Sequence, residues 1–292
     1  MKEAYLNAIV DNLFAVHNGP VRYEAGVPVS FPFPSEKVVE DLLPLLRDVL
    51  FADYFRGHCA HDNVQEEMKH KLKRVTDQLT AQIHYGLSFE DPGKLSSKPG
   101  MREAKDIMMA FLDQLPAIRE KLVKDAEAAY SGDPSCTNSY EPILCFPSVV
   151  ALFRHRVAHA LHELGVPLLP RMIAEIAHRR TAIDIHPAAK IGDYFFVDHG
   201  TGVVIGETCV IGDHVSLYHG VSLGAKNFPV DADCKAIKGQ PRHPIIGNHV
   251  TIYMGAVLLG RITIGDHIVI GANVWVTRYV APHSRIYEGE CK

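Results

Sequence analysis

From Ile185 onward an aliphatic residue recurs at every sixth position, a period that neither a 3.6-residue helix nor an alternating strand would keep. The series runs Ile185, Ile191 and Val197. It resumes after a two-residue slip at Ile205, Ile211, Leu217 and Leu223, then returns at Ile246, Ile252, Leu258, Ile264, Ile270 and Val276. Small or branched residues stand four places after many of these, as at Val215, Val221, Val250, Ala256, Ile262, Ile268 and Val274. Glycine follows the aliphatic at Gly192, Gly206, Gly212, Gly224, Gly247, Gly265 and Gly271, where backbone freedom is expected at the corners between short strands. Each hexad would form one short face and three would form a coil, so the pattern predicts a parallel β-helix of triangular section with its apolar residues stacked along the axis. Thirteen hexads make a little over four coils, roughly 20 Å of prism at about 4.8 Å per strand spacing. The period does not set the hand of the coil, and the general rule for parallel crossovers favours a right-handed one.

The repeat breaks between Leu223 and Ile246, where the segment is too long and too polar for hexads. A loop is therefore expected to leave the prism over 226–241. Long loops on rigid scaffolds are often functional elements.

Before the repeat the spacing is helical, as in Val38, Leu42, Leu43, Leu46, Val49 and Leu50, or Met68, Leu72, Val75, Leu79 and Ile83. Loops are expected near Phe31 to Ser35, Asp91 to Gly100 and Ser131 to Pro147. A single last helix is expected from about Pro147 to Arg180, carrying His155, His159 and His162 at one-turn spacing. That triplet could bind metal, although packed or surface histidines are commoner. The fold class is thus α+β, with an α-helical domain over 1–180 followed by a repeat domain over 181–292.

Charge excludes some functions. Thirty Lys and Arg against 34 Asp and Glu leave a net charge of −4, without the basic footprint that nucleic acid or an anionic membrane surface requires. An acid at Glu3 and the absence of any long apolar run argue against a signal peptide or a membrane span, so a cytoplasmic location is expected. Cys59, Cys136, Cys145, Cys209, Cys234 and Cys291 are scattered with no CxxC pair, which fits reduced thiols.

Polar residues without a packing reason cluster at Asp184-Ile185-His186, at Asp198-His199-Gly200-Thr201-Gly202 and at Arg242-His243-Pro244. Histidine is the usual general base near neutral pH, and an aspartate beside it fixes its tautomer and stabilises the imidazolium. The same residues could equally cap the corners of the prism. Composition and spacing do not decide between the two.

The runs DIHPAAKIG (184–192), VDHGTGVVIGET (197–208) and RHP (242–244) resemble the serine O-acetyltransferases, the first committed enzymes of cysteine synthesis. The resemblance spans about Asp133 to Val280 and agrees with a helical N-terminal half. It implies a left-handed β-helix, acetyl-CoA as acyl donor, L-serine as acceptor and no metal. It further implies that His199 is the general base, that Asp184 is its dyad partner, and that Asp198 and Asp133 hold the serine ammonium. Arg242 would grip the serine carboxylate, for which a planar fork is suited, with His243 assisting at the catalytic centre. Backbone N–H groups at Gly224 and Ala225 are candidates for the oxyanion donor. Acetyl-CoA would run past Met254 and Gly255.

The resemblance also implies a homotrimer with sites between neighbouring prisms, possible pairing into a dimer of trimers, and L-cysteine as a feedback inhibitor. Two features depart from the family pattern. The loop 226–241, with Phe228 and Pro229, is longer than the glycine-rich turn common in bacterial members. The tail is short and ends Glu288-Gly289-Glu290-Cys291-Lys292 where many members carry a longer tail with a terminal isoleucine, so no stable sulfhydrylase complex is expected. Three other functions stay open: acyl transfer to another small hydroxyl or amine, a zinc hydratase of the γ-carbonic anhydrase type drawing on His199, His219, His243 and His249, and a catalytically inert scaffold.

Overall fold

A computed structural model describes residues 2–17, 32–55, 64–227 and 229–287. Phe228 and the tail Glu288 to Lys292 lie outside the described residues, as do Cys59 and Cys291. The helical half comprises α1 (Lys2–His17), α2 (Glu36–Leu50), α3 (Val64–Glu90), α4 (Lys98–Gly132), α5 (Glu141–Cys145), α6 (Pro147–Glu163) and α7 (Leu169–Thr181). Ser35 caps α2 by accepting the Val38 N–H, and Ser97 caps α4 by accepting that of Gly100. The helical-period residues of α2 and α3, among them Leu42, Leu46, Val75 and Ile83, form a buried core with Phe111 and Leu122 of α4.

The single last helix expected over 147–180 is two helices. Gly165 takes φ +74°, Leu168 takes φ +63°, and Pro167 between them lacks an N–H to continue the ladder, so α6 stops at Glu163. Two of the expected loops carry structure as well: a 3-10 turn at Pro92–Lys94 and the short α5 within 131–147.

The hexads build a parallel solenoid of three sheets. Sheet I stacks β1 (Asp184–Ile185), β4 (Val204–Ile205), β7 (Ser222–Gly224), β10 (Val257–Leu259) and β13 (Trp275–Val276). Sheet II stacks β2 (Lys190–Ile191), β5 (Val210–Ile211), β8 (Ile245–Ile246) and β11 (Thr263–Ile264). Sheet III stacks β3 (Phe196–Asp198), β6 (Ser216–Tyr218), β9 (Thr251–Ile252), β12 (Val269–Ile270) and β14 (Arg285–Ile286). The thirteen aliphatic positions pair in register along these sheets and line a buried axis. The solenoid makes about five turns, more than the four and a fraction counted from the sequence. After Val276 the chain advances four residues instead of six, so Val280 bridges Ile264 and Ile286 then pairs with Ile270 to close the extra turn.

The glycines after the aliphatics serve a different purpose from the one expected. None of those seven has positive φ. A Cβ on Gly212 would lie 2.8 Å from the Gly247 carbonyl oxygen, and one on Gly192 would lie 2.6 Å from that of Gly212, so these positions are small because successive coils touch there. The positive φ at the corner between sheets II and III falls instead on Tyr194, His214, His249, His267 and His283. Their rings stack in one column with centroids 4.5–5.0 Å apart.

Helix α6 joins the two halves. Its Ala151 and Leu152 pack into the axial core, while Phe196 of β3 packs into the helical one. Beside them Arg156 makes a two-pronged ion pair with Asp125 of α4 at 3.1 and 3.2 Å and donates to the carbonyls of Ile191 (2.5 Å) and Gly192 (2.6 Å) in the first coil. The loop 226–241 stands off the prism at the end of β7, held by a Val230–Ala236 bridge and by the Asp231 carboxylate, which accepts the N–H groups of Asp233 and Lys235.

Candidate active site

The two-residue slip after Val197 enlarges the corner between sheets III and I. His199, Gly200 and Gly202 there take φ of +56°, +85° and +77°. A Cβ on Gly200 would come within 2.4 Å of the Ile183 side chain, so the wide turn closes only with glycine. The turn pushes His199 outward: its side chain is 73% exposed, Nε2 stands 4.0 Å from Asp198 Oδ2, and the ring meets His219 edge-on at 5.7 Å. Asp133, at the C-cap of α4, faces the same corner. Two hydrogen bonds from Ser135, with the nearby His199, hold its carboxyl below the usual carboxylate range. Asp184 begins β1 one coil below, and its N–H donates to the Val203 carbonyl. Among the described residues no hydrogen bond joins the Asp184 carboxylate to His199.

Met254 and Gly255 lie on this corner two coils above His199. The Gly255 N–H donates to the His219 carbonyl, and a Cβ there would meet Asn273 Oδ1 at 2.3 Å. Gly224 and Ala225, grouped with them from the sequence, lie at the other end of sheet I where the loop leaves the prism. The structure therefore divides the four expected cofactor residues between two corners.

The second cluster is built at that other end, between sheets I and II. His243 is buried, and its ring lies against Gly206, where a Cβ would fall 2.1 Å from Cδ2. Thr208 organises the cluster. Its Oγ accepts the N–H groups of Arg242 (2.9 Å) and His243 (3.0 Å) and lies 2.9 Å from His243 Nδ1, while its own N–H donates to Nδ1 at 3.1 Å. With Nδ1 accepting, the neutral imidazole carries its proton on Nε2. Burial, then the Arg242, His186 and Arg261 charges, lower the His243 pKa to about 4 against the opposite pull of Glu207. Glu207 ion-pairs with Arg242, and Arg261 donates to the carbonyls of Thr208 (2.6 Å) and His243 (3.1 Å).

From the sequence Glu207, Thr208 and Arg261 have no role, and Gly206 has only that of a corner glycine. The available signal was the hexad register, which stacks the Gly-Glu-Thr run directly beneath the end of the extruded loop.

The four histidines considered for zinc do not gather within one chain. His199 and His219 share the III–I corner, His243 occupies the I–II corner and His249 belongs to the column between II and III. Of the triplet on α6, His155 is buried and stacked on His159, whose Nδ1 donates to the Pro187 carbonyl, and burial lowers both imidazoles, while His162 is exposed. Cys136, Cys145, Cys209 and Cys234 are all free thiols.

A solenoid of hexads with an exposed imidazole at one corner and an arginine–imidazole pair at another is in keeping with the hexapeptide-repeat class of acyltransferases. The bacterial transferase hexapeptide model (six repeats) matches residues 243–278. The chain is 41% identical to the plasmid-borne serine acetyltransferase of Synechococcus elongatus across 98% of this chain and 92% of that one. It belongs to the serine acetyltransferase family. A crystal structure of Entamoeba histolytica serine acetyltransferase isoform 3 in complex with cysteine superposes with a TM-score of 0.73 at 31% identity, covering 96% of this chain and 90% of that one. A serine acetyltransferase in complex with CoA superposes with a TM-score of 0.54 at 25% identity, covering 84% and 95%.

Proposed function

We propose that this chain transfers the acetyl group of acetyl-CoA to the hydroxyl of L-serine, giving O-acetyl-L-serine and CoA. The observation that carries the reading is the grouping of Asp133, Asp198 and His199 at one enlarged corner, which sets two carboxylates for an ammonium beside an exposed imidazole. His199 takes the serine hydroxyl proton as the oxygen attacks the thioester carbonyl. The tetrahedral oxyanion is held by backbone N–H groups at Gly224 and Ala225. Collapse breaks the C–S bond, and the imidazolium returns its proton to the CoA thiolate. A thioester carries a good leaving group, so one base and a donor for the oxyanion account for the chemistry. General-base assistance of this kind is worth about 10² to 10⁴ in rate.

Asp198 and Asp133 bind the serine ammonium, Arg242 its carboxylate, and the His243 Nε2–H supplies a further donor. Within one chain these two groups occupy opposite ends of sheet I, so the site is completed between chains, the His199 corner of one prism meeting the Arg242–His243 corner of its neighbour. A trimer is then the smallest active assembly, and a dimer of trimers would add no group to the site. Asp184 would engage His199 in that assembly, and acetyl-CoA would lie along the seam past Met254 and Gly255. L-cysteine shares the ammonium and carboxylate of serine and inhibits by occupying the same contacts. No described helix is long and apolar enough to cross a membrane, and a cytoplasmic location fits this use of acetyl-CoA.

A thiol-release assay with acetyl-CoA and a panel of amino acids, run on the wild type and on His199→Ala, tests the reading. L-serine should drive CoA release, and the variant should lose at least about two decades of rate. Inert serine, or an undiminished rate in His199→Ala, would overturn it.

A further inference from the structure

Three arginines line a cleft in the helical half that acetyl transfer does not use. The cleft, of about 50 Å³ and open to solvent, lies between α2, α6 and α7. Arg154 of α6 is 7% exposed, yet it pairs with no carboxylate among the described residues. Its Nη1 donates to the Val150 carbonyl at 3.1 Å, and its Nε is buried without a hydrogen bond. Arg180, at the end of α7, also lines the cleft and forms no ion pair among the described residues. Arg47 is the third, already bonded to Asp48 at 2.9 Å.

The first turn of α6 completes the wall with Val149 and Val150. That 17-residue helix starts after Phe146 with no side-chain cap, so its positive end is uncompensated on this side. Burial, with the neighbouring Arg180 and Arg47 charges, lowers the Arg154 pKa to about 10, and the group stays cationic at neutral pH. Glu40 is the carboxylate whose charge reaches it, without bonding to it. A buried cation normally has a counter-charge, because desolvation is costly when uncompensated. Among the described residues no carboxylate bonds to Arg154 or Arg180, and the wall beside them is a helix N-terminus.

We propose that this cleft binds a small tetrahedral oxyanion, phosphate or sulfate, between Arg154, Arg180 and the N-terminus of α6. The guanidinium forks suit the paired oxygens of such an anion, and helix N–H groups supply uncharged donors beside them. None of these residues belongs to the proposed acetyl-transfer site, so the two readings stand or fall separately.

Thermal unfolding of the full chain in phosphate, in sulfate and in chloride at matched ionic strength provides the test. Phosphate or sulfate should raise Tm saturably above the chloride value, and His199→Ala should respond like the wild type. Arg180→Gln, an exposed change that leaves the core untouched, should weaken the apparent affinity about tenfold or more, and Arg154→Met should do so at least as strongly. No rise beyond chloride, or an unchanged affinity in Arg180→Gln, would overturn the proposal whether or not Arg154→Met folds.

Discussion

Replacing Asp125 with alanine should reveal how firmly the helices hold the first coil. The Asp125 carboxylate is fully buried and accepts two hydrogen bonds from Arg156, whose side chain is 4% exposed, and one from the Phe195 N–H at 3.1 Å. Without it, the Arg156 guanidinium keeps its contacts to the Ile191 and Gly192 carbonyls but loses its counter-charge, and the Phe195 N–H loses its acceptor. Breaking a buried pair from one side costs about 3–5 kcal/mol, a large part of a typical domain stability of about 5–15 kcal/mol. Arg156→Met should cost a similar amount for the converse reason. The double variant should cost less than the sum by about 2 kcal/mol, because the second change removes a charge that the first left unpaired. Urea unfolding followed by circular dichroism at fixed protein concentration, to hold any association constant, gives these values. Single losses below about 1 kcal/mol, or additivity within about 0.5 kcal/mol, would refute the claim that this pair is a coupled clamp. The clamp sits on the helix whose C-cap is Asp133, so the loosened variants should also bind serine more weakly.

His243 supplies a pH signature. Its pKa of about 4 in the folded chain lies below the ordinary histidine value of about 6.5, so the unfolded chain takes up the proton first. The resulting stability is present in full above about pH 6.5 and is lost as pH falls towards 4. Between pH 7.5 and 4.5 the wild type should therefore lose about 2–3 kcal/mol more than His243→Gln in matched urea titrations, and parallel pH profiles would contradict the assignment. Sharing of the site between chains predicts complementation. His199→Ala and His243→Ala should each be inactive alone, yet after unfolding and refolding together at equal concentration they should recover about a quarter of wild-type activity, the fraction of interfaces that combine two intact halves at random. An inactive mixture of well-folded trimers would place both histidines in one chain's site.

The parts of this molecule that can be read from its sequence are those whose role repeats. Ile205, Leu223, Leu258 and Val276 each face the same axis, so the period alone identifies them, and the slip after Val197 shows where a corner must widen around His199. A change of step hides information as readily. Val280 and Ile286 follow the hexad spacing from each other, but the four-residue step after Val276 takes them out of register, and the last turn goes uncounted. The break between α6 and α7 was equally concealed, since apolar residues continue on both sides of Gly165 and Pro167.

What the sequence withheld depends on which coil lies above which. Thr208 and Arg242 are separated by 34 positions, and their contact exists because the loop 226–241 leaves and re-enters the prism at one corner. Asp125 and Arg156 look like charges on a solvated helix face until α4 and α6 are packed against the first coil. The same limit applies to the proposed active site. Under that proposal each corner of the chain presents half of a constellation, with the carboxylates and His199 on one and Arg242 with His243 on the other. The motif spacing in one chain lists both halves, and the rotation that brings two chains together determines whether they face each other.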